Sequence, residues 1–280
     1  MAGTLYLVET PIGNLEDLTY RAVRTLGEVD FVAAEDTRVS GKLLHYLEIS
    51  KPLVSYHEHN KKQRGPELVE RILAGENCAL VTDAGMPAIS DPGEDLANLC
   101  HEAGISVIPV PGACAAVSAL AQSGLPSGKW CFEGFLPTNS KQRKERLAVL
   151  KQETRTCIVY EAPHRLRATM QELAQQLGER RVSISREITK LHEECLRMTL
   201  PEAAAYYQET EPRGEFVLVI EGASDHPEQR AADQMEQAIA LTEELTAAGL
   251  TLRDAVKQAA KQTGARKNQL YQTMLARQEE

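Results

Sequence analysis

Over the first 120 residues, short apolar runs alternate with longer stretches of helical periodicity. The runs fall at residues 5–8, 31–34, 53–55, 79–81 and 106–110. Between them, residues 18–26, 41–47, 65–74, 93–103 and 113–121 read as helices. This rhythm predicts a mainly parallel, doubly wound sheet with helices on both faces. Ligands of such sheets sit beyond the carboxyl ends of the strands, so chemistry is expected in the turns that leave those ends.

At residues 124–129 the composition shifts to Gly, Pro and Ser, which marks a boundary between a doubly wound α/β domain, 1–124, and a second α/β domain, 125–224. Strands are expected there at 130–134, 156–160, 181–186, 195–199 and 216–221, and helices at 140–150, 163–177 and 200–207. Strands are denser in this part, which predicts a mixed sheet. Residues 223–230 read as a polar linker. The extension that follows, 231–280, reads as three helices: 234–248 ending at Gly249, 252–263 capped by Thr251 and ending at Gly264, and 267–277. Either a helix-turn-helix module or an amphipathic tail packed on the body has this pattern.

The length, 280 residues, suits two domains. No apolar run approaches the roughly 20 residues needed to cross a bilayer. The N-terminus lacks a basic region followed by a long apolar one, so a cytoplasmic location away from membranes is expected. The six cysteines form no CxxC and no zinc-ligand spacing, so reduced thiols and no metal are expected. A net charge of −9 argues against a dedicated nucleic-acid binder, but its distribution qualifies that. Residues 250–277 hold six basic residues against one acid, and residues 129–155 hold seven against three. Such segments fit either local RNA contact or solvated helix faces.

Nucleotide signatures such as GxGxxG and the Walker A loop are absent, as are HExxH and GxSxG. The candidate chemistry lies in the turns. The first, TPIGNL (10–15), combines a Pro with a Gly that lets backbone approach a ligand. The second, AAEDTR (33–38), puts Glu35, Asp36, Thr37 and Arg38 directly after an apolar strand; helix capping explains one of them. The fourth, TDAGMPAISDPG (82–93), is long and has small side chains on stiff backbone, which suits a flat base and an amino-acid group. Asp83 and Asp91 there could hold Mg²⁺, although capping near Gly93 is the simpler task for Asp91. The fifth, VPGA (110–113), leads into a helix start whose open N–H groups suit a carboxylate. Beyond the boundary, YEAPHR (160–165) clusters Glu161, His164 and Arg165 at a helix entrance, either as base and phosphate clamp or as structural groups. Residues 186–190 and 213–215 are further polar loops.

In this order, these turns resemble the tetrapyrrole methylase superfamily, the class III S-adenosylmethionine methyltransferases, from residue 3 to about 222. Within it, TPIGNL, AAEDTR, VTDAGMPAISDPG, VPGA, YEAPHR and RGEFVLVIEG resemble the ribosomal RNA small-subunit methyltransferase I family, and the helical tail looks like that family's extension. The resemblance implies two α/β domains with S-adenosylmethionine folded in the cleft between them. It assigns the cofactor to Ile12, Gly13, Met86, Pro87, Ile89, Ala113 and Cys114, with Ala162 and Arg213 closing the site. It implies methylation of a cytidine ribose 2′-hydroxyl in the decoding region of bacterial 16S rRNA, within the small ribosomal subunit, by a homodimer. A ribose hydroxyl benefits from a general base, for which Glu35, Asp36, Glu161 and His164 are the candidates, with Arg38 and Arg165 on phosphate. Lys257, Lys261, Arg266 and Lys267 of the tail would bind RNA. Where relatives that build tetrapyrroles have a glycine-rich first turn, this chain has Pro11-Ile12-Gly13, which disfavours a tetrapyrrole substrate. A helix-turn-helix regulator with a ligand-sensing domain is the alternative outside enzymes.

Overall fold

The computed structural model of the chain describes residues 1–224 and 227–278. Its first sheet is five-stranded and wholly parallel, from β1 (Thr4–Val8), β2 (Phe31–Ala34), β3 (Leu53–Ser55), β4 (Cys78–Val81) and β5 (Ser106–Val110) in the order β3-β2-β4-β1-β5. β2 and β4 are buried at every residue, which is why they read as unbroken apolar runs. Helices α1 (Tyr20–Glu28), α2 (Thr37–Tyr46), α3 (Lys61–Leu73), α4 (Gly93–Glu102) and α5 (Ala115–Ser123) follow the five strands in turn. On one face Leu5, Phe31 and Leu80 pack with Leu68 of α3 and Leu96 of α4. On the other, Val8, Val32 and Val81 pack with Leu26 of α1 and Leu44 of α2. This is the doubly wound arrangement that the alternating pattern predicts.

The second sheet contains β6 (Trp130–Phe135), β7 (Thr156–Glu161), β8 (Arg181–Arg186), β9 (Glu194–Thr199) and β10 (Phe216–Ile220). Its order is β6-β7-β10-β8-β9, with β6 and β7 parallel and the other neighbours antiparallel, so it is mixed as expected. β10 comes last in sequence yet lies at the centre, buried throughout. Helices α6 (Ser140–Gln152), α7 (Pro163–Leu177) and α8 (Leu200–Glu209) cover one face. α8 starts with a capping box, in which the Thr199 hydroxyl accepts from the Glu202 amide and the Glu202 carboxylate accepts from the Thr199 amide. The other face packs on α5: Ile158, Val217 and Val219 meet Ala116, Ala119 and Leu120. One helix thus joins the two sheets through an apolar seam.

The chain ends in α9 (Pro227–Ala247), α10 (Leu252–Thr263) and α11 (Lys267–Gln278), whose own core holds Ala238, Val256, Ala259, Leu270 and Met274. The polar linker expected over 223–230 is shorter than its composition suggests. α9 already begins at Pro227, because Pro is well tolerated in the first helical turn, where its missing N–H needs no partner. Asp225 and His226, also assigned to that linker, lie outside the described residues. Among the described residues no helix is long and apolar enough to cross a membrane.

Candidate active site

Thr10, two residues beyond the end of β1, stitches turns of the first sheet together. Thr10 pairs with Gly85 in an isolated antiparallel bridge, with N···O distances of 3.0 Å in both directions. Its hydroxyl also donates to the Thr82 carbonyl at 3.1 Å. The first and fourth turns therefore meet. Asp91 braces the rest of the fourth turn by accepting from the amides of Ala88 (3.0 Å) and Gly93 (2.7 Å). Within that turn Ala88 and Ser90 hold left-handed φ values of 67° and 66°, strain of a kind that concentrates at functional loops.

Over these turns lies a cavity of about 450 Å³, within the range of small-molecule sites. Ile12, Gly85, Met86, Ile89, Cys114 and Ala115 line it from the first half. Phe135, Tyr160, Ala162, Ile188, Phe216 and Val217 line it from the second. The walls are mainly apolar, with Glu161 and Glu215 the charged residues among them. Tyr160 stands edge-on to Phe132 and Phe135, with ring centroids 5.0 and 5.6 Å away, and burial pushes its hydroxyl up to about 12. α5 begins at Cys114 with no side-chain cap, leaving its first turn to other partners.

Of the positions singled out in the sequence, Ile12, Met86, Ile89, Cys114, Ala162 and Glu161 lie at the wall. Pro87 is buried beneath the fourth turn, and Gly13, Ala113 and Arg213 stand outside the lining. Gly13 instead receives the Lys190 side chain: a Cβ on Gly13 would lie 2.3 Å from Lys190 Cγ. Lys190 Nζ bonds Glu187 and Glu215, both at 2.9 Å, so one lysine clasps the loop after β8 over the first turn. Arg213 faces solvent and, among the described residues, approaches Glu211 alone, at 3.7 Å.

The polar candidates separate into three groups. Asp36 caps α2 and grips Arg38, with Oδ2 2.6 Å from Nη2. That pairing holds its carboxyl far below the usual carboxylate range, which makes it a poor base. Glu35 accepts from the Thr82 hydroxyl at 2.8 Å, and Asp83 accepts from the Asp36 amide at 3.1 Å, so three acids meet just beyond the carboxyl ends of β2 and β4. Burial first, and then the charges of Glu35 and Asp36, push the Asp83 carboxyl up. Glu161 and Arg165, expected as base and phosphate clamp, are instead committed to each other. Glu161 is fully buried, lies 3.2 Å from Arg165 Nε, and accepts from Thr169 Oγ1 (2.5 Å) and the Ala162 amide (3.0 Å). Arg165 spends its other edge on the Leu136 carbonyl, at 2.6 Å. The cause is local: on a helix entrance the residues four apart face one another. His164 sits exposed on the first turn of α7.

Both basic segments also sort by geometry. Arg143, Arg146 and Arg155 pair with Glu172, Glu133 and Glu153, so three of the seven basic residues over 129–155 are already engaged by carboxylates. Lys257, Lys261, Arg266 and Lys267 are all exposed on α10, on the turn after it and at the start of α11. Asp91 is occupied by backbone amides, and among the described residues no group of three or more metal-ligating side chains is close enough to hold a metal. The cysteines are free thiols.

Of the second-half wall residues, Phe135 carries no sequence signal, Ile188 sits inside the polar loop 186–190, and Phe216 and Val217 read as core strand within RGEFVLVIEG. Tyr160 lay inside a motif already in view.

The profile of the tetrapyrrole (corrin/porphyrin) methylases matches residues 4–204, and that of the RsmI C-terminal HTH domain matches residues 231–278. The ribosomal RNA small subunit methyltransferase I of Synechocystis sp. is 51% identical over 98% of this chain and 98% of its own. Its namesake in Halalkalibacterium halodurans is 49% identical over 96% and 93%, and that in Escherichia coli O157:H7 44% over 99% and 96%. Among solved structures, a uroporphyrin-III C-methyl transferase from Thermus thermophilus complexed with S-adenyl homocysteine covers 78% of this chain and 97% of its own, with a TM-score of 0.56 at 21% identity. The methyltransferase CobJ covers 79% and 95%, with a TM-score of 0.59 at 18% identity. The two distant structures share the fold, while near-full-length identity of 44–51% is a far narrower relation, and by it this chain belongs to the ribosomal RNA small subunit methyltransferase I family.

Proposed function

We propose that this protein transfers the methyl group of S-adenosylmethionine to the ribose 2′-hydroxyl of a cytidine in the decoding region of bacterial 16S rRNA. The observation that carries the reading is its identity, along almost its whole length, to bacterial proteins named ribosomal RNA small subunit methyltransferase I. A homodimer acting on the small ribosomal subunit in the cytoplasm belongs to the same reading.

The cavity fits the cofactor by size and chemistry. Its apolar walls and the edge-on Phe135–Tyr160 pair suit a flat base, and the uncapped start of α5 suits a carboxylate. Bound there, S-adenosylmethionine supplies a methyl group already made electrophilic by its sulfonium. Ile12, Met86, Ile89, Cys114 and Ala162 would hold it, while Gly13, Pro87 and Ala113 shape the turns that carry those residues. Asp83 or Glu35 would take the proton from the ribose hydroxyl: Asp83 directly precedes the wall residue Ala84, Glu35 is tied to the same turn through Thr82, and neither is consumed by an arginine. Arg38 keeps 87% of its side chain exposed while Asp36 steadies it, an arrangement suited to a phosphate. His164 directly follows the wall residue Pro163.

Labelled S-adenosylmethionine incubated with unmodified small ribosomal subunits, followed by mass spectrometry of the nucleosides, tests the reading. A 2′-O-methylated cytidine is expected. A methylated base, or transfer only to a small tetrapyrrole, would overturn it.

The exposed cations of the tail lead to a second expectation. Changing Lys257, Lys261, Arg266 and Lys267 together to Gln should leave cofactor affinity intact. It should lower the slope of log affinity for RNA against log salt by about 3, as loss of four phosphate contacts requires. An unchanged slope in filter binding would place the RNA elsewhere.

A further inference from the structure

The sequence gives no reason to single out Glu9, which continues an apolar strand, yet it is the best-buried acid beside the cavity. It follows β1 directly and has no solvent exposure. Its Oε1 accepts from the Thr19 amide at 3.2 Å, at the start of α1. The Ala113 amide is near enough to pull the same carboxyl toward its charged form, and the Glu9 amide donates to the Val110 carbonyl at 3.4 Å. One side chain therefore ties α1, which follows the first turn, to the fifth turn, just as the neighbouring Thr10 ties the first turn to the fourth. The wall residues Ile12, Cys114 and Ala115 lie within a few residues of these anchor points.

Gly112 shows how closely the fifth turn is fitted around this carboxyl. A Cβ there would lie 2.0 Å from Glu9 Cδ and 2.2 Å from Oε1. The place of a side chain on the fifth turn is taken by a side chain from the first. The arrangement is costly. Glu9 Oε2 is buried with no partner, and Asp17 Oδ2 nearby is in the same condition. Burial raises the carboxyl's pKa, against the pull of the Thr19 and Ala113 amides, and the charge of Asp17 adds to the rise. An apolar residue of similar volume would avoid that cost. A buried acid kept where packing alone would prefer methionine points to a task other than stability.

We infer that Glu9 is a positioning residue for the cofactor: by holding the fifth turn and the start of α1 at a fixed separation, it sets the spacing of Ile12 against Cys114 and Ala115. The inference rests on the cofactor reading proposed above. It acts through backbone, so Glu9 touches neither cofactor nor acceptor.

The test is S-adenosylhomocysteine binding by calorimetry to the full-length protein, with melting temperature measured in parallel. Glu9→Met keeps the volume and deletes the acceptor. It should melt no lower than wild type yet bind about 10-fold more weakly, the loss expected for a hydrogen bond that orders a site. In turnover its KM for S-adenosylmethionine should rise with kcat nearly unchanged. Glu9→Gln retains an acceptor oxygen and should restore affinity to within about threefold of wild type. Should Glu9→Met fail to fold, Glu9→Asp carries the test, because its carboxyl is withdrawn by one methylene from both amides; the same loss of affinity is expected. Wild-type affinity in a folded Glu9→Met or Glu9→Asp overturns this inference alone. Failure of the wild-type protein to bind S-adenosylhomocysteine overturns it together with the cofactor reading.

Discussion

Replacing Asp83 with Asn is expected to slow single-turnover methyl transfer by about 10²- to 10⁴-fold, the usual contribution of a general base, without weakening cofactor binding. The argument is comparative. Three acids and His164 were candidates from the sequence, and geometry disqualifies two of the acids: Asp36 is held ionised by Arg38, and Glu161 is sealed in an ion pair with Arg165. Asp83, first weighed only as a metal ligand, immediately precedes the wall residues Ala84 and Gly85. Burial and the adjacent charges of Glu35 and Asp36 raise its pKa above 3.8, toward the range where a carboxylate accepts protons well. The sign of the pH dependence follows. A base works when deprotonated, so the wild-type rate should fall as pH drops through that raised value, and the Asn variant should lose this acid limb. Because the raised pKa means that folding favours the neutral form, the variant should melt no lower than wild type at pH 7. An undiminished rate in Asp83→Asn would pass the role to Glu35, which Glu35→Gln would then report.

The second large effect concerns stability. Glu161→Ala should destabilise the fold by about 3–5 kcal/mol, the cost of leaving a buried cation without its partner. For a chain of this size that corresponds to a fall of roughly 10 °C in melting temperature. Only 22% of the Arg165 side chain reaches solvent, and after the change only the Leu136 carbonyl would remain to it in the interior. Thr169 would lose its acceptor and Ala162 its cap-like contact at the uncapped start of α7. Adding Arg165→Met to the same variant should recover much of the loss, since the stranded charge then disappears. Calorimetric melts of the single and double variants decide it. A double variant no more stable than Glu161→Ala would show that the pair's worth lies in packing instead.

What could be read from the chain, and what could not, divides along physical lines. The turns of the first sheet announce themselves because Pro, Gly and Asp follow directly on apolar strands, and Ile12, Met86, Ile89 and Cys114 duly line the cavity. β10 was legible as a strand but not as a wall. Phe216 and Val217 are buried either way, and only the tertiary arrangement turns them toward a ligand. Glu161 and Arg165 looked like exposed functional groups because a one-dimensional motif does not reveal that i and i+4 partners will satisfy each other. Glu9 escaped for the opposite reason: a single acid at the end of a strand carries no periodic signal, and its meaning depends on Gly112, more than a hundred residues away.

The central position of β10 has a consequence for the order of events during synthesis. Nine of the ten strands described have been translated by residue 199, yet the second sheet then has a gap in its middle, between β7 and β8. Phe216 and Val217 fill that gap and complete the cavity in the same step. A nascent chain therefore acquires cofactor affinity late and abruptly, after the first sheet has had time to form unaided. The ligand cannot act as a scaffold for early folding; it can only hold the finished molecule closed, so a chain stalled before residue 216 gains no protection from the cofactor however abundant it is.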